Sequence, residues 1–185
     1  RWDEGTGVTS RRVEAGLETG AMVAKRAMRL PPDGTAGSVT DALSRLGADL
    51  LIETLPRWLA GEIKPEPQDD SLSTYAPMLK KEEGRLDFTR DVNELERQVR
   101  AFNPWPGAFM EFDGAMLKIH RAHVSPLQQG EGLGVRAASV GQRLIVANQP
   151  AVGARGGVLI LDEVQPAGKK SMNGKSFLAG ARHWA

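Results

Sequence analysis

The run Asn103-Pro104-Trp105-Pro106-Gly107 divides the chain into two parts with different hydrophobic periods. Before it, apolar residues recur at the spacing of one helical face: Val92, Leu95, Val99 and Phe102. Asp91 and Glu94 have the spacing of a capping box at the start of this helix. Beyond the run, the apolar residues follow the shorter period of strands. The five strands predicted from this pattern are Ala108–Phe112, Met116–Val124, Val135–Val140, Arg143–Ala147 and Val158–Val164.

Five short strands joined by glycine-rich turns predict a small closed or partly open barrel. An oligonucleotide-binding-type (OB-type) barrel is the expected architecture for five strands with a basic surface. A short helix is predicted at Asn173–Ala181, after the last strand. Trp105 lies between two prolines, and we favour packing between helix and barrel over a role as a base-stacking platform.

The N-terminal part has a strand–loop–strand–helix pattern. Strand-like stretches at Gly7–Glu14 and Met22–Leu30 flank a loop that contains two glycines. After the break at Pro31–Thr35, a helix is predicted with Thr35 or Ser38 as its N-cap. Pro56 should kink or end this helix, although the apolar pattern continues as far as Leu59. The residues that define its apolar face are Val39, Leu43, Leu46, Leu50 and Leu51.

The composition changes at Gly61–Asp70, where two prolines and several charges indicate a linker. We therefore predict an α+β protein in three parts. Residues 1–61 form a first domain, residues 62–88 a linker, and residues 89–185 the barrel domain.

The net charge of +1 hides an asymmetry along the chain. Residues 115–185 contain nine Lys or Arg against three Asp or Glu, whereas residues 1–114 contain 15 against 20. This distribution indicates that the C-terminal part faces a polyanion such as a nucleic acid. Ordinary surface charge distributed by chance remains the alternative.

The segment Gln165–Met172 sets Lys169 and Lys170 after a Pro and a Gly, just past a predicted strand. Such a turn fixes the backbone at the surface, so that paired ammonium groups meet phosphates at little ordering cost. Lys118 and Arg121, on a predicted strand, are further candidates for a basic groove. The competing interpretation is a solvated turn and a solvated outer barrel face.

Several classes of protein are excluded by what the sequence lacks. Without cysteine there is no disulfide or thiolate chemistry, and the histidines lack metal-ligand spacing, so no metal is expected. No apolar run has the length of a membrane span, and no phosphate-binding glycine loop occurs. The chain begins at Arg1 rather than Met and shows no secretory signal, so we expect a piece of a longer protein.

Three segments carry a resemblance to a known family. The motif Ala101–Ala108, the stretch Gln165–Met172 and the linker around Lys64-Pro65-Glu66 resemble the C-terminal part of methionyl-tRNA formyltransferases. The resemblance extends from about Gly7 to Trp184. The Asn-Pro-Trp-Pro motif also occurs in related sugar-nucleotide formyltransferases, whereas Pro-Ala-Gly-Lys-Lys-Ser-Met is more specific to the tRNA enzyme.

The resemblance implies a fold and a set of partners. In that family a Rossmann-like domain carries 10-formyltetrahydrofolate and the catalytic groups, and the barrel helps to hold the tRNA. The chain would therefore contain the end of a Rossmann-like formyltransferase domain, a linker and a five-stranded OB-like β-barrel. Initiator methionyl-tRNA and the folate formyl donor are the implied partners, and a cytoplasmic monomer is expected.

The resemblance also implies roles for individual residues. The catalytic aspartate of the family falls on Glu18, which keeps the carboxylate on a longer side chain. Ala21 stands where an Asp is usual, and Ser10-Arg11 occupies a position that is usually apolar in the strand. The folate-binding residues would be Glu14, Gly16 and Leu17. The family's catalytic Asn and His have no counterpart in this sequence, so the chain alone is expected to be inactive. The residues expected to contact RNA are Lys169, Lys170, Lys118 and Arg121.

Two alternatives remain open from the sequence. The first is a formyltransferase acting on an amino-sugar nucleotide, which the basic barrel and the Lys169 turn disfavour. The second is a non-catalytic RNA-binding module that has lost the formyl-transfer domain.

Overall fold

A computed structural model describes residues 4–16, 18–126 and 138–185, with Pro126 described by its backbone alone. The chain divides into two compact units, Arg1–Met78 and Leu79–Ala185. The boundary between them lies within the predicted linker, residues 62–88. None of the helices in the described parts combines the length and hydropathy that a bilayer crossing requires.

The first unit consists of a β-hairpin and a long helix. Strands β1 (Gly5–Arg11) and β2 (Met22–Arg29) pair in antiparallel fashion, and helix α1 spans Ala36–Leu59. Both candidate cap residues take part in a capping box. The backbone N–H of Ser38 donates to Thr35 Oγ1 at 3.2 Å, and the Thr35 N–H donates to Ser38 Oγ at 3.0 Å. The predicted start of the helix is confirmed.

Helix α1 continues through Pro56 and ends at Leu59, as the apolar pattern predicts. It packs on β1 and β2 and buries Leu50 and Thr54. Leu51, assigned to the apolar face from its spacing, is instead half exposed. It follows the buried Leu50 directly and therefore points to a different side of the helix. The other exposed large apolar residues of this helix are Ile52, Leu55 and Leu59.

The second unit begins with helix α2 (Val92–Ala101), which Asp91 caps by accepting a hydrogen bond from the Asn93 N–H at 2.9 Å. The predicted apolar stripe is confirmed, because Val92, Leu95 and Val99 are fully buried.

A six-stranded antiparallel sheet forms the rest of the second unit. The strands are β3 (Ala108–Phe112), β4 (Ala115–Pro126), β5 (Arg143–Val146), β6 (Gln149–Ala154), β7 (Gly157–Pro166) and β8 (Met172–Asn173). Five of them follow the order β3-β4-β7-β6-β5, and β8 pairs with β7. Helix α3 (Gly174–Gly180) follows β8 and packs on β6 and β7, which confirms the predicted C-terminal helix.

The strand prediction needs three corrections. Strands β6 and β8 were missed, and the predicted strand Val135–Val140 has residues 135–137 outside the described part while residues 138–140 are not a strand. The described sheet therefore has six strands rather than five, and within the described residues it does not close into a barrel. Strand β6 escaped prediction because Pro150 and Gly153 resemble turn residues. A Cβ atom on Gly153 would collide with the carbonyl oxygen of Ser139, so close approach of the chain requires glycine there.

The core of the second unit is closed by three aromatic rings at its C-terminal end. Phe112, Phe177 and Trp184 lie with ring centroids 5.3–5.5 Å apart. Trp184 is 1% exposed, and its indole N–H donates to the carbonyl of Leu144 at 2.7 Å. The C-terminal residues are thereby fixed to β5.

The two-residue turn between β5 and β6 offers a test of local strain. Ala147 and Asn148 have φ of 48° and 61°, a left-handed conformation that Ala tolerates less well than Asn or Gly. We expect Ala147→Asn combined with Asn148→Gly to raise the free energy of unfolding of the second unit by about 1 kcal/mol. Urea denaturation measures this change. Asp113→Asn in the Asp113-Gly114 turn is the control and should change little, and an unaltered stability of the double variant would contradict the assigned turn.

The Asp91 cap generates a prediction about pH. The pKa of Asp91 is lowered because the Asn93 side chain and backbone N–H donate to its carboxylate. A lowered folded-state pKa contributes stability above the ordinary value of 3.8 and loses it as the pH falls through the folded-state pKa. We expect Asp91→Ala to lower the melting temperature at pH 7, and the difference from the unsubstituted chain to shrink in acid. Asp91→Asn should keep the cap without this titration. A difference that stays constant from pH 7 to strong acid would contradict the prediction.

Candidate functional site

The first candidate site is the loop between β1 and β2, residues 12–21. The Arg12 N–H donates to the carbonyl of Ala21 at 3.0 Å and closes the loop at its base. Gly20 is buried against this closure, and a Cβ atom on it would collide with the carbonyl oxygen of Arg12. Glycine is therefore required at position 20 because no larger residue leaves room for the neighbouring backbone.

The segment that follows α1 holds this loop in place. Gln68 Nε2 donates to the carbonyl oxygens of Glu18 and Gly20 at 2.7 and 2.8 Å. The backbone of Glu66 exchanges two hydrogen bonds with Met22, at 2.7 and 2.8 Å. Sequence reasoning missed Gln68, because one amide in a proline-rich segment does not indicate its partner.

Glu18 lies on the exposed part of the loop. Its φ is 59°, a conformation that Asn and Asp adopt more readily than Glu. Its side chain is 75% exposed, and the carboxylate lies 3.1 Å from Arg11 Nη2. Glu14 and Gly16 are exposed on the same loop, whereas Leu17 lies outside the described residues. The structure therefore brings three of the four predicted loop residues to one exposed surface.

This loop presents a charged carboxylate to solvent beside a guanidinium. Such a group can accept a proton or orient an imidazole. All three histidines of the chain belong to the second unit, so the first unit contains no imidazole for Glu18 to orient. Two of the departures from the family pattern, Glu18 and Arg11, are partners in one ion pair, and no spacing rule indicates this pairing.

The second candidate site is the turn between β7 and β8. The Lys169 N–H donates to the carbonyl of Pro166 at 3.0 Å, and Gln165 Nε2 donates to the carbonyl of Lys169 at 2.9 Å. Gly168 between them has φ of 72°. Lys169 and Lys170 are exposed, and neither forms an ion pair with a described side chain. The turn thus presents two ammonium groups on an anchored backbone.

A bulge in β4 places Lys118 and Arg121 on the same face. In a regular strand, residues three apart point to opposite faces. Here Ile119 and Ala122 are both buried, and the pairing with β7 shifts register twice between them, leaving one residue of each strand, His120 and Asp162, without a register partner. Lys118 and Arg121 are consequently both exposed, on the side away from the core.

The cross-strand neighbours distinguish these two basic residues. Lys118 lies opposite Gln165, the residue that anchors the Lys169 turn, so Lys118 and Lys169 belong to one surface. Arg121 lies opposite Glu163, whose carboxylate accepts a hydrogen bond from Ser171 at 2.6 Å. The negative charge of Glu163 makes Arg121 the weaker candidate for a phosphate contact.

Sequence reasoning missed the supporting function of Gln165. Because its Nε2 donates to Lys169, its Oε1 is the acceptor for His120 Nε2 at 3.0 Å. The carbonyl of His120 in turn accepts from Asn103 Nδ2 at 2.8 Å.

Trp105 is 53% exposed and belongs to neither buried cluster, contrary to the packing role predicted for it.

The comparisons with known proteins identify relatives of both units. The family described as "Formyl transferase, C-terminal domain" matches residues 78–182. The Geobacter sulfurreducens protein named methionyl-tRNA formyltransferase is 44% identical over 177 residues, covering 96% of this chain and 53% of that protein. The Myxococcus xanthus protein of the same name is 40% identical over 181 residues, covering 96% and 54%. The chain thus spans about half the length of the curated relatives it matches.

Two solved structures share the fold. HypX from Aquifex aeolicus in complex with tetrahydrofolic acid has a TM-score of 0.70 at 18% identity, covering 98% of this chain and 31% of that one. Methionyl-tRNA formyltransferase from Clostridium thermocellum has a TM-score of 0.50 at 21% identity, covering 69% and 53%. The family match covers more than half of the chain, so the chain belongs to the formyltransferase family and carries its C-terminal domain.

Proposed function

We propose that the chain is the C-terminal part of a methionyl-tRNA formyltransferase. The complete enzyme transfers a formyl group from 10-formyltetrahydrofolate to the methionyl amino group of initiator tRNA. The observation that carries the proposal is the 44% identity with the Geobacter sulfurreducens protein. Since it covers 96% of the chain, it spans both the Glu18 loop and the Lys169 turn.

Under this proposal, residues 1–61 are the end of a Rossmann-like catalytic domain, residues 62–88 the linker and residues 89–185 an OB-like barrel. The antiparallel sheet of the second unit and the fold similarity of the chain to a solved methionyl-tRNA formyltransferase support the assignment. The enzyme acts as a cytoplasmic monomer and uses no metal.

The carboxylate of Glu18 has a defined task in this reaction. The amine nitrogen attacks the formyl carbon, the bond from that carbon to folate N10 breaks, and a proton passes from the amine to N10. A carboxylate beside an imidazole orients and charges that ring, or relays the proton through water. The exposed Glu18 fits this task, with Arg11 holding the longer side chain. Glu14, Gly16 and Leu17 are the residues proposed to bind the folate donor.

The basic surface of the second unit has the complementary task of holding the tRNA. Lys169 and Lys170 contact phosphates from an anchored turn, and Lys118 extends the same surface. Arg121, facing Glu163, contributes less to phosphate binding. Such contacts position the RNA and make binding depend on salt, but they do not select a sequence.

The salt dependence of tRNA binding tests the lysine turn. Each phosphate contact adds about 0.9 to the slope of the logarithm of the binding constant against the logarithm of salt concentration. We expect Lys169→Ala with Lys170→Ala to reduce the magnitude of the slope for initiator tRNA by about 2. Fluorescence anisotropy over a salt series measures it. Lys80→Ala with Lys81→Ala is a matched control that should leave the slope unchanged, and an unchanged slope in the turn variant would remove these lysines from the interface.

The function of Glu18 is testable in a chimeric enzyme. The matched part of the Geobacter sulfurreducens protein is replaced by this chain, and formylation of initiator methionyl-tRNA is measured. We expect Glu18→Gln to lower kcat by on the order of a hundredfold or more, because the amide cannot take the charge or the proton. Glu18→Asp should retain activity, and Glu66→Gln is the control for removing one acidic group from this unit. Full activity of Glu18→Gln would show that the carboxylate is not catalytic.

A further inference from the structure

A cavity in the second unit adjoins the Lys169 turn. Its volume is about 570 Å³, and the β3–β4 turn, the β7–β8 turn, helix α3 and the residues after it surround it. We call it the C-terminal cavity. Its size lies within the range of small-molecule sites in proteins, roughly 300–1,000 Å³.

The apolar lining of the C-terminal cavity is held rigidly. Phe112, Met172 and Phe177 line it, and the two phenylalanine rings pack edge to face with centroids 5.5 Å apart. Both rings also pack against the buried Trp184. Arg143 lies over the Phe112 ring at 5.3 Å and Phe177 is 5% exposed, so the aromatic lining is preorganised. A planar apolar group can pack against the part of the lining that remains open without ordering mobile side chains.

The polar lining carries an excess of positive charge. Lys169, Arg182 and His183 line the cavity and are exposed, and none forms an ion pair with a described side chain. Asp113 is the one carboxylate among the described residues of the lining. Unpaired lysine and guanidinium groups suit a phosphate, and a carboxylate beside them suits a hydroxyl or amino donor of the same ligand.

We propose that the C-terminal cavity binds a single unstacked nucleotide of an RNA strand. Lys169 and Arg182 hold the phosphate, the lining of Phe112, Met172 and Phe177 receives the base, and Asp113 accepts from the ribose or the base. Unstacked bases are the parts of RNA that proteins bind by aromatic contact. The proposal rests on the proposed RNA-binding function of this unit. It goes beyond that function by naming a pocket, because phosphate contacts alone do not require a pocket.

Gly180 provides a way to fill the cavity without removing a charge. It lines the cavity at the end of α3, and a Cβ atom there meets no atom within 4 Å. Gly180→Trp therefore occupies the space with little backbone strain, and Gly180→Ala is its control. Arg182→Gln removes one lining charge from an exposed position, and Lys175→Gln is matched to it because Lys175 is exposed on α3 but does not line the cavity.

Binding is measured with the 185-residue chain, by calorimetry, against a short single-stranded ribo-oligonucleotide, a duplex of the same length and adenosine monophosphate. We expect Gly180→Trp and Arg182→Gln to weaken binding of the single strand and the mononucleotide about tenfold or more, which is the effect of losing one stacked base or one phosphate contact. Gly180→Ala should bind as the unsubstituted chain does. Lys175→Gln should leave mononucleotide binding unchanged, and duplex binding should be unaffected by Gly180→Trp because paired bases cannot enter the cavity.

Two results would overturn the proposal. The first is equal affinity of a folded Gly180→Trp chain and the Gly180→Ala chain for the single strand. The second is displacement of adenosine monophosphate by inorganic phosphate at equal concentration, which would show that the cavity binds only the phosphate group. Either result leaves the salt test of the Lys169 turn intact, so failure of the pocket is distinguishable from failure of the proposed RNA-binding function.

Discussion

Burial of β7 on both of its faces is the constraint on which the second unit depends. Residues 157–161 of this strand are all buried, and β7 pairs with β4, β6 and β8. Helices α2 and α3 both pack on it, so one strand joins every layer of the unit. Each fully buried leucine or valine contributes about 2 kcal/mol relative to exposure. Because the strand is fixed in this way, the turn that follows it has a fixed position as well.

The basic surface is a consequence of that arrangement. Strand β7 leaves the core at its C-terminal end and leads directly into the turn that carries Lys169. The bulge in β4 rotates Arg121 out of the core, and Gln165 joins Lys118, on the neighbouring strand, to the turn. Lys169 of the same turn lines the C-terminal cavity, so the proposed phosphate contacts and the proposed base-binding site share one support.

The sequence predicted elements with local signals more reliably than strands defined by distant partners. The start of α1 at Thr35 and the apolar face of α2 follow from residues within one or two turns, and both are found as expected. Strand β6 was missed because Pro150 and Gly153 suggest a turn, while their actual environment is a close contact with another part of the chain. The candidate Glu18 was placed by resemblance, but its partner Arg11 and the Gln68 amide that holds its loop were found only in the structure.

The amino-acid sequence by itself determined the helix caps, the separation of a helical from a strand-rich part, the basic C-terminal region and the membership of a formyltransferase family. The tertiary structure decided which basic residues share a face, which carboxylate opposes Arg121, and that Arg182 and Lys169 line one cavity. The physical reason is the separation along the chain of the residues that make each contact. Caps, turns and helical faces depend on neighbours a few residues away, whereas strand register and cavity shape depend on contacts between residues far apart in the chain.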